Sequence, residues 1–186
     1  MIIANKSLRL LFLSNSLLVF ASALLGPLYA IFVTEIDEKV LSVSFSWFAF
    51  LASSIFFTYL VGKHGDKIKE KEYMLLGGYI VRAVVWIFFI FISNIQELII
   101  LQILLGIGDA LGSPSFDTIF ATHLDRGRHV FNYSTWKIIE KIAIASGTLI
   151  GGVVVTMFGF SPLFIIMSLI ALISFFIVLF QPRELL

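Results

Sequence analysis

The chain has no cysteine, so disulfide bridges and thiolate metal sites are both excluded. Charge is scarce too. Asp, Glu, Lys and Arg make up 13% of the 186 residues, against roughly a quarter in a soluble globular chain. Most Lys and Arg fall in short segments between apolar runs, which leaves no basic face for a nucleic acid. Enzyme patterns are missing as well. The chain lacks the G-x-S-x-G and late-helix His of six-helix intramembrane serine proteases, a zinc-binding H-E-x-x-H, and the Asp-rich motif of lipid transferases. Neither an enzyme nor a resident metal or cofactor is expected.

What is present is apolar. Hydrophobic residues make up 59% of the chain, and twenty residues are Phe. The hydrocarbon core of a bilayer is about 30 Å thick and takes about 20 apolar residues per helical pass. Runs of that length recur: Leu10 to Thr34 and Val40 to Gly62 carry no charge. Ile142 to Pro182 is charge-free over about twice that length, so it must fold back. Gly159-Phe160-Ser161-Pro162 supplies turn chemistry inside it. Uninterrupted runs, rather than period-two alternation, predict helices and not barrel strands. The expected spans are about 8–33, 43–62, 73–93, 98–121, 133–158 and 160–181, in one all-α membrane domain over 1–186. Lys6, Arg9 and the small residues Ala21-Ser22-Ala23 also fit a cleaved signal peptide. The apolar character continues through Val33, which favours an uncut span.

Charge placement predicts orientation. Lys6, Arg9, Lys63, Lys67, Lys69, Lys71, Arg126, Arg128 and Arg183 fall on one side of a six-span arrangement, and Lys39 alone on the other. The positive-inside rule then puts both termini on the cytoplasmic side of the cell membrane.

The two halves of the sequence are similar in order. Ala23-Leu24-Leu25-Gly26-Pro27 with Tyr29 is matched by Ala110-Leu111-Gly112-Ser113-Pro114 with Phe116. Ser44-Phe45-Ser46-Trp47 is matched by Tyr133-Ser134-Thr135-Trp136, and Gly62 and Gly151 follow at equal spacing. Three spans per copy make this an inverted repeat, about 1–94 and about 95–186.

The segment Gly62-Lys63-His64-Gly65-Asp66-Lys67-Ile68-Lys69-Glu70-Lys71 resembles the loop signature of the major facilitator superfamily, G-x-x-x-D-[R/K]-x-G-[R/K]-[R/K]. Gly62, Asp66, Lys67 and Lys71 match it, whereas Lys69 and Glu70 depart from it. The resemblance implies a transporter fold of which this chain is one six-helix half, similar to half-length members of that superfamily. In the family, the loop Asp sits near a helix N-terminus, where a carboxylate is favoured. Gly106 and Gly108 match a fourth-helix pattern, but Gln102 stands where the family has an Arg, the usual partner of the loop Asp. Gly147, Gly151 and Gly152 resemble an antiporter fifth-helix motif without its proline. Read from the residues alone, Gly147 and Gly151 form a face on which a second helix can approach closely.

Six ionisable residues fall at membrane depth: Arg82, Asp109, Asp117, Lys137, Glu140 and Lys141. Each costs roughly 2.5–3.5 kcal/mol at the bilayer centre on insertion scales. Three of each sign suggest mutual pairing, with Arg82 and Asp109 at one depth and Lys137 and Glu140 an i,i+3 pair. Asp109 is open to two readings. It either pairs structurally or binds a cation or proton in a cavity, with Asn15 as a further cavity candidate. Two functions follow: a secondary-active transporter of a small molecule or ion, or a membrane scaffold that moves nothing. A lone half exposes polar groups to lipid, so association with a second copy or a related half is expected, with the Gly147–Gly151 face as candidate contact.

Overall fold

A computed structural model describes residues 6–68, 70–124 and 127–181, without the side chains of Lys6 and Asp66. Lys69, Arg126 and Arg183 of the basic set lie outside the described residues. All regular structure there is helical: α1 (Lys6–Leu25), α2 (Tyr29–Ile36), α3 (Val40–His64), α4 (Glu72–Phe88), α5 (Ile95–Thr122), α6 (His129–Phe158) and α7 (Phe160–Leu179). The first span holds both α1 and α2. A 3-10 turn at Gly26–Leu28 separates them, because Pro27 has no N–H to give the helical ladder.

Among the described residues, five spans are long and apolar enough to cross a membrane. The sixth, α4, has 17 residues and ends before the expected 93. Its chain goes on in tight turns, with Ile90 N–H bonded to the Ile87 carbonyl and Phe91 N–H to that of Phe88, at 3.2 and 3.1 Å. The fold-back in the long charge-free stretch is also tighter than expected. One residue, Gly159, separates α6 from α7, at φ 80° and ψ −174°, where side chains are disfavoured. At the start of α5, Asn94 Oδ1 accepts the Glu97 N–H at 3.0 Å, and the Glu97 carboxylate accepts that of Ser93 at 2.9 Å. These bonds satisfy donors that a helix start leaves open.

The helices pack as α3 on α5, α4 on α5, α1 on α6, α1 on α7, α6 on α7 and α4 on α7. Small residues set the closest crossings. A Cβ at Gly106 would lie 2.7 Å from the Phe50 carbonyl oxygen, and beside it Ser53 Oγ donates to the Ile103 carbonyl at 2.7 Å. At Gly78 a Cβ would meet the Gly108 carbonyl at 2.7 Å. Gly147 and Gly151 press on Phe20 and Leu24 of α1. That placement corrects one expectation: these two glycines are buried within the protomer and are not free to meet a second copy. Gly152 and Gly62 face open space.

The core runs between α1, α2, α4 and α7, where Leu24, Val33, Tyr79, Leu163 and Ala171 are fully buried. Phe32 packs against Phe89, Phe160 and Phe164 at 4.8–5.7 Å between ring centroids. By contrast, α3 and α6 are poorly covered. Only 17% of the apolar window of each is buried, against at least 39% in the other three.

Candidate functional site: two cavities meeting at an ion pair

Two cavities open between the helices, and both are bounded by Arg82, Asp109, Ser22 and Gly26. The larger, about 550 Å³, extends toward the end of the bundle that holds the basic loops, between α1, α5 and α6. Its lining includes Asn15, Asp117, Trp136, Lys137 and Glu140. The smaller, about 260 Å³, extends toward the opposite end and is rich in aromatic side chains, with Tyr29, Trp47, Phe50, Trp86 and Phe89 beside Gln102.

Arg82 of α4 and Asp109 of α5 meet at 2.7 Å between Nη2 and Oδ1. Local packing explains the approach. Gly78 and Gly112 let the two backbones close, and a Cβ at Gly112 would lie 2.9 Å from Nη1 of Arg82. The carboxylate has further donors. Ser54 Oγ donates to Oδ2 at 2.7 Å and Ser113 Oγ to Oδ1 at 3.1 Å. A carboxylate offers about four acceptor positions, so one stays open toward the cavities. The guanidinium is the more enclosed partner, with 13% of its side chain exposed against 30% for Asp109.

The remaining expected residues divide. Lys137 and Glu140 pair at 2.7 Å along α6. Asn15 accepts a hydrogen bond from the buried Tyr79 hydroxyl at 3.3 Å, on the wall of the larger cavity. Asp117 lines that cavity, whereas Lys141 lies on an exposed groove of α6 with Ser134, Ile138 and Ile142. Among the described residues, neither Asp117 nor Lys141 forms an ion pair.

Around the loop signature, Lys71 Nζ donates to the Gly65 carbonyl at 2.5 Å and closes the turn. Lys67 is exposed, and the side chain of Asp66 lies outside the described part. Gln102 stands where the family has an Arg. It lies in the aromatic cavity beside Tyr29, toward the end of the bundle opposite the loop that carries Asp66. A residue at 102 is too far along α5 to be the partner of that loop.

Ser54, Tyr79 and the aromatic cavity are absent from the sequence expectations. A serine hydrogen-bonded across two helices has the same sequence pattern as one bonded to its own backbone, as Ser14 is to Leu11. Only the tryptophans and the repeated Gly-Pro segments hinted at these positions.

The comparisons with known proteins agree in kind. The chain is 25% identical over 158 residues to the uncharacterized MFS-type transporter YitZ of Bacillus subtilis, covering 83% of this chain and 94% of that one. It is 30% identical over 171 residues to the multidrug resistance protein MdtG of Proteus mirabilis, and 25% identical over 173 residues to that of Dickeya zeae. It spans 41% of the length of each. Its fold matches that of PepTSo, a POT family transporter, with a TM-score of 0.76 at 14% identity, over 96% of this chain and 37% of that one. The family model described as Major Facilitator Superfamily matches residues 11–185. A multi-pass helical chain with a charged cavity at membrane depth, matched over nearly its whole length, belongs to the Major Facilitator Superfamily of membrane transporters.

Proposed function

We propose that the chain is one six-helix half of a secondary-active transporter of small solutes, working as a parallel dimer in the cell membrane with both termini cytoplasmic. The carrying observation is the pair of cavities that meet at Arg82 and Asp109. A purely structural ion pair needs no room beside it, whereas this one borders about 550 Å³ on one side and about 260 Å³ on the other. Asp109 keeps an open acceptor position there, which suits a cation, a proton or a polar group of the solute. Asn15 stands on the same wall.

The internal repeat belongs to this reading. Exchanging spans one, two and three with four, five and six maps the packing of α3 on α5 onto that of α6 on α1, and α4 on α5 onto α7 on α1. The repeated motif residues also make like contacts. Tyr29 packs on Trp47 at 5.4 Å, and Phe116 packs on Trp136 at 4.7 Å. One such pair borders each cavity. Two copies of a three-helix unit in opposite sense would give one cavity per side of the membrane, as alternating access requires.

The test is solute uptake and efflux in proteoliposomes, with and without a proton or sodium gradient. Gradient-dependent flux is expected, and Asp109→Asn should abolish it per molecule of the folded fraction that is recovered and reconstituted. A folded, reconstituted protein that moves no solute under any gradient would favour a scaffold or accessory subunit.

A further inference from the structure

The protomer leaves one acid and one base at membrane depth without an ion-pair partner among the described residues. Arg82 is matched by Asp109 and Lys137 by Glu140. Asp117 on α5 and Lys141 on α6 remain, and both are exposed. We infer that Asp117 of one copy pairs with Lys141 of a second copy, twice across a twofold axis, so that the polar cavity is completed only in the dimer. The inference rests on the dimer proposed above and names the contact that holds it.

Four observations carry it. An unpaired charge at this depth is costly, and one leftover of each sign on a single bundle is self-complementary under twofold symmetry. The two residues lie on poorly covered surface: Asp117 at the open cavity, and Lys141 on α6, which with α3 is the least buried of the five long apolar spans. Depth is compatible as well. Lys137 shares the cavity with Asp117 and acts on it electrostatically. Lys141 lies four residues, about 6 Å, further along α6. Its stem tilts toward the helix N-terminus, back toward the level of Asp117. Finally, α3 carries no charge from Val40 to Gly62, so an opposing α3 offers Lys141 no carboxylate. An anionic lipid headgroup would neutralise Lys141 but leave Asp117 unmatched.

The test is complementation in trans. Asp117→Lys alone sets two like-charge contacts in a homodimer, and so does Lys141→Asp alone. Each variant should self-associate about a hundredfold more weakly than the wild type, about tenfold per contact. Mixing the two variants makes both contacts complementary. Two-tag co-purification from membranes should then recover the mixed dimer to near the wild-type level. Because the chain has no cysteine, Asp117→Cys on one tag and Lys141→Cys on the other supply a second measurement that does not depend on the charge variants folding. A bifunctional thiol reagent as long as a lysine side chain should join the mixed pair and neither variant to itself.

A mixed population as dissociated as either variant, with no heterotypic cross-link, would overturn the pairing. So would loss of bound anionic phospholipid from Lys141→Asp with no recovery on mixing, which would assign Lys141 to lipid. A wild-type chain that is monomeric in membranes removes the dimer itself. A wild-type dimer whose variants do not complement removes only this contact.

Discussion

Breaking the Arg82–Asp109 pair should cost different amounts from its two sides. Asp109→Asn leaves a guanidinium only 13% exposed without its countercharge. Removal of one partner of a buried pair costs about 3–5 kcal/mol, and this variant falls at the upper end. Arg82→Met instead leaves a carboxylate that is 30% exposed and still receives bonds from Ser54 and Ser113 at 2.7 and 3.1 Å. Hydroxyl donors and partial solvent screening offset part of the loss, so this variant falls at or below the lower end. The double exchange, Arg82→Asp with Asp109→Arg, should recover at least half of the worse single loss. It will not recover all of it, because Gly108 and Gly112 shape the space for an arginine that comes from α4. The assay is the fraction of folded protein after graded heating in detergent, read by size exclusion. If Arg82→Met proves worse than Asp109→Asn, the reasoning from exposure and hydroxyl donors is wrong. A double exchange no better than the worse single variant would show that the pair does not act as a pair.

Three further outcomes follow from the geometry. Gly151→Val should push α1 from α6, since a Cβ at 151 already meets the Leu24 backbone, and should cost about 1–3 kcal/mol. Gly152→Val, with open space around it, should change the same melting curve by less than about 0.5 kcal/mol. Equal losses would refute the packing argument. Cysteines placed at 66 and 127 should react only with reagents on the cytoplasmic side, and those at 95 and 160 only from outside; the reverse pattern refutes the orientation. In the turn before α3, Asp37 accepts from the Ser42 hydroxyl at 2.8 Å and the Lys39 N–H at 3.2 Å, which hold its carboxyl below the ordinary 3.8. A lowered folded value means that its stabilisation is complete above about 3.8 and fades as pH falls through the lowered value. Asp37→Asn should remove that acid-dependent part of the melting curve, and an unchanged pH profile would count against it.

The sequence by itself determined the solvent, the helical class and the family. Hydrocarbon thickness fixes span length and lipid forbids unpaired backbone, so long apolar runs leave few alternatives. It also indicated the ion pairs. Charges at membrane depth are so costly that equal numbers of each sign point to one another, and Arg82 found Asp109 as Lys137 found Glu140. Partners across helices were another matter. Gly147 and Gly151 announce close approach but not to which helix, and the tertiary fold gave them to α1 rather than to a second copy. Gln102 shows the same limit, because a motif gives spacing along a helix and not the neighbours at that height, and the fold sets it beside Tyr29 and Trp47. The two cavities, Ser54 on Asp109 and the buried Tyr79 on Asn15 depend on which helix faces rotate together. In a chain apolar on nearly every face, hydrophobic periodicity carries almost no information about rotation. Only packing of small residues and hydrogen bonds between helices decides it.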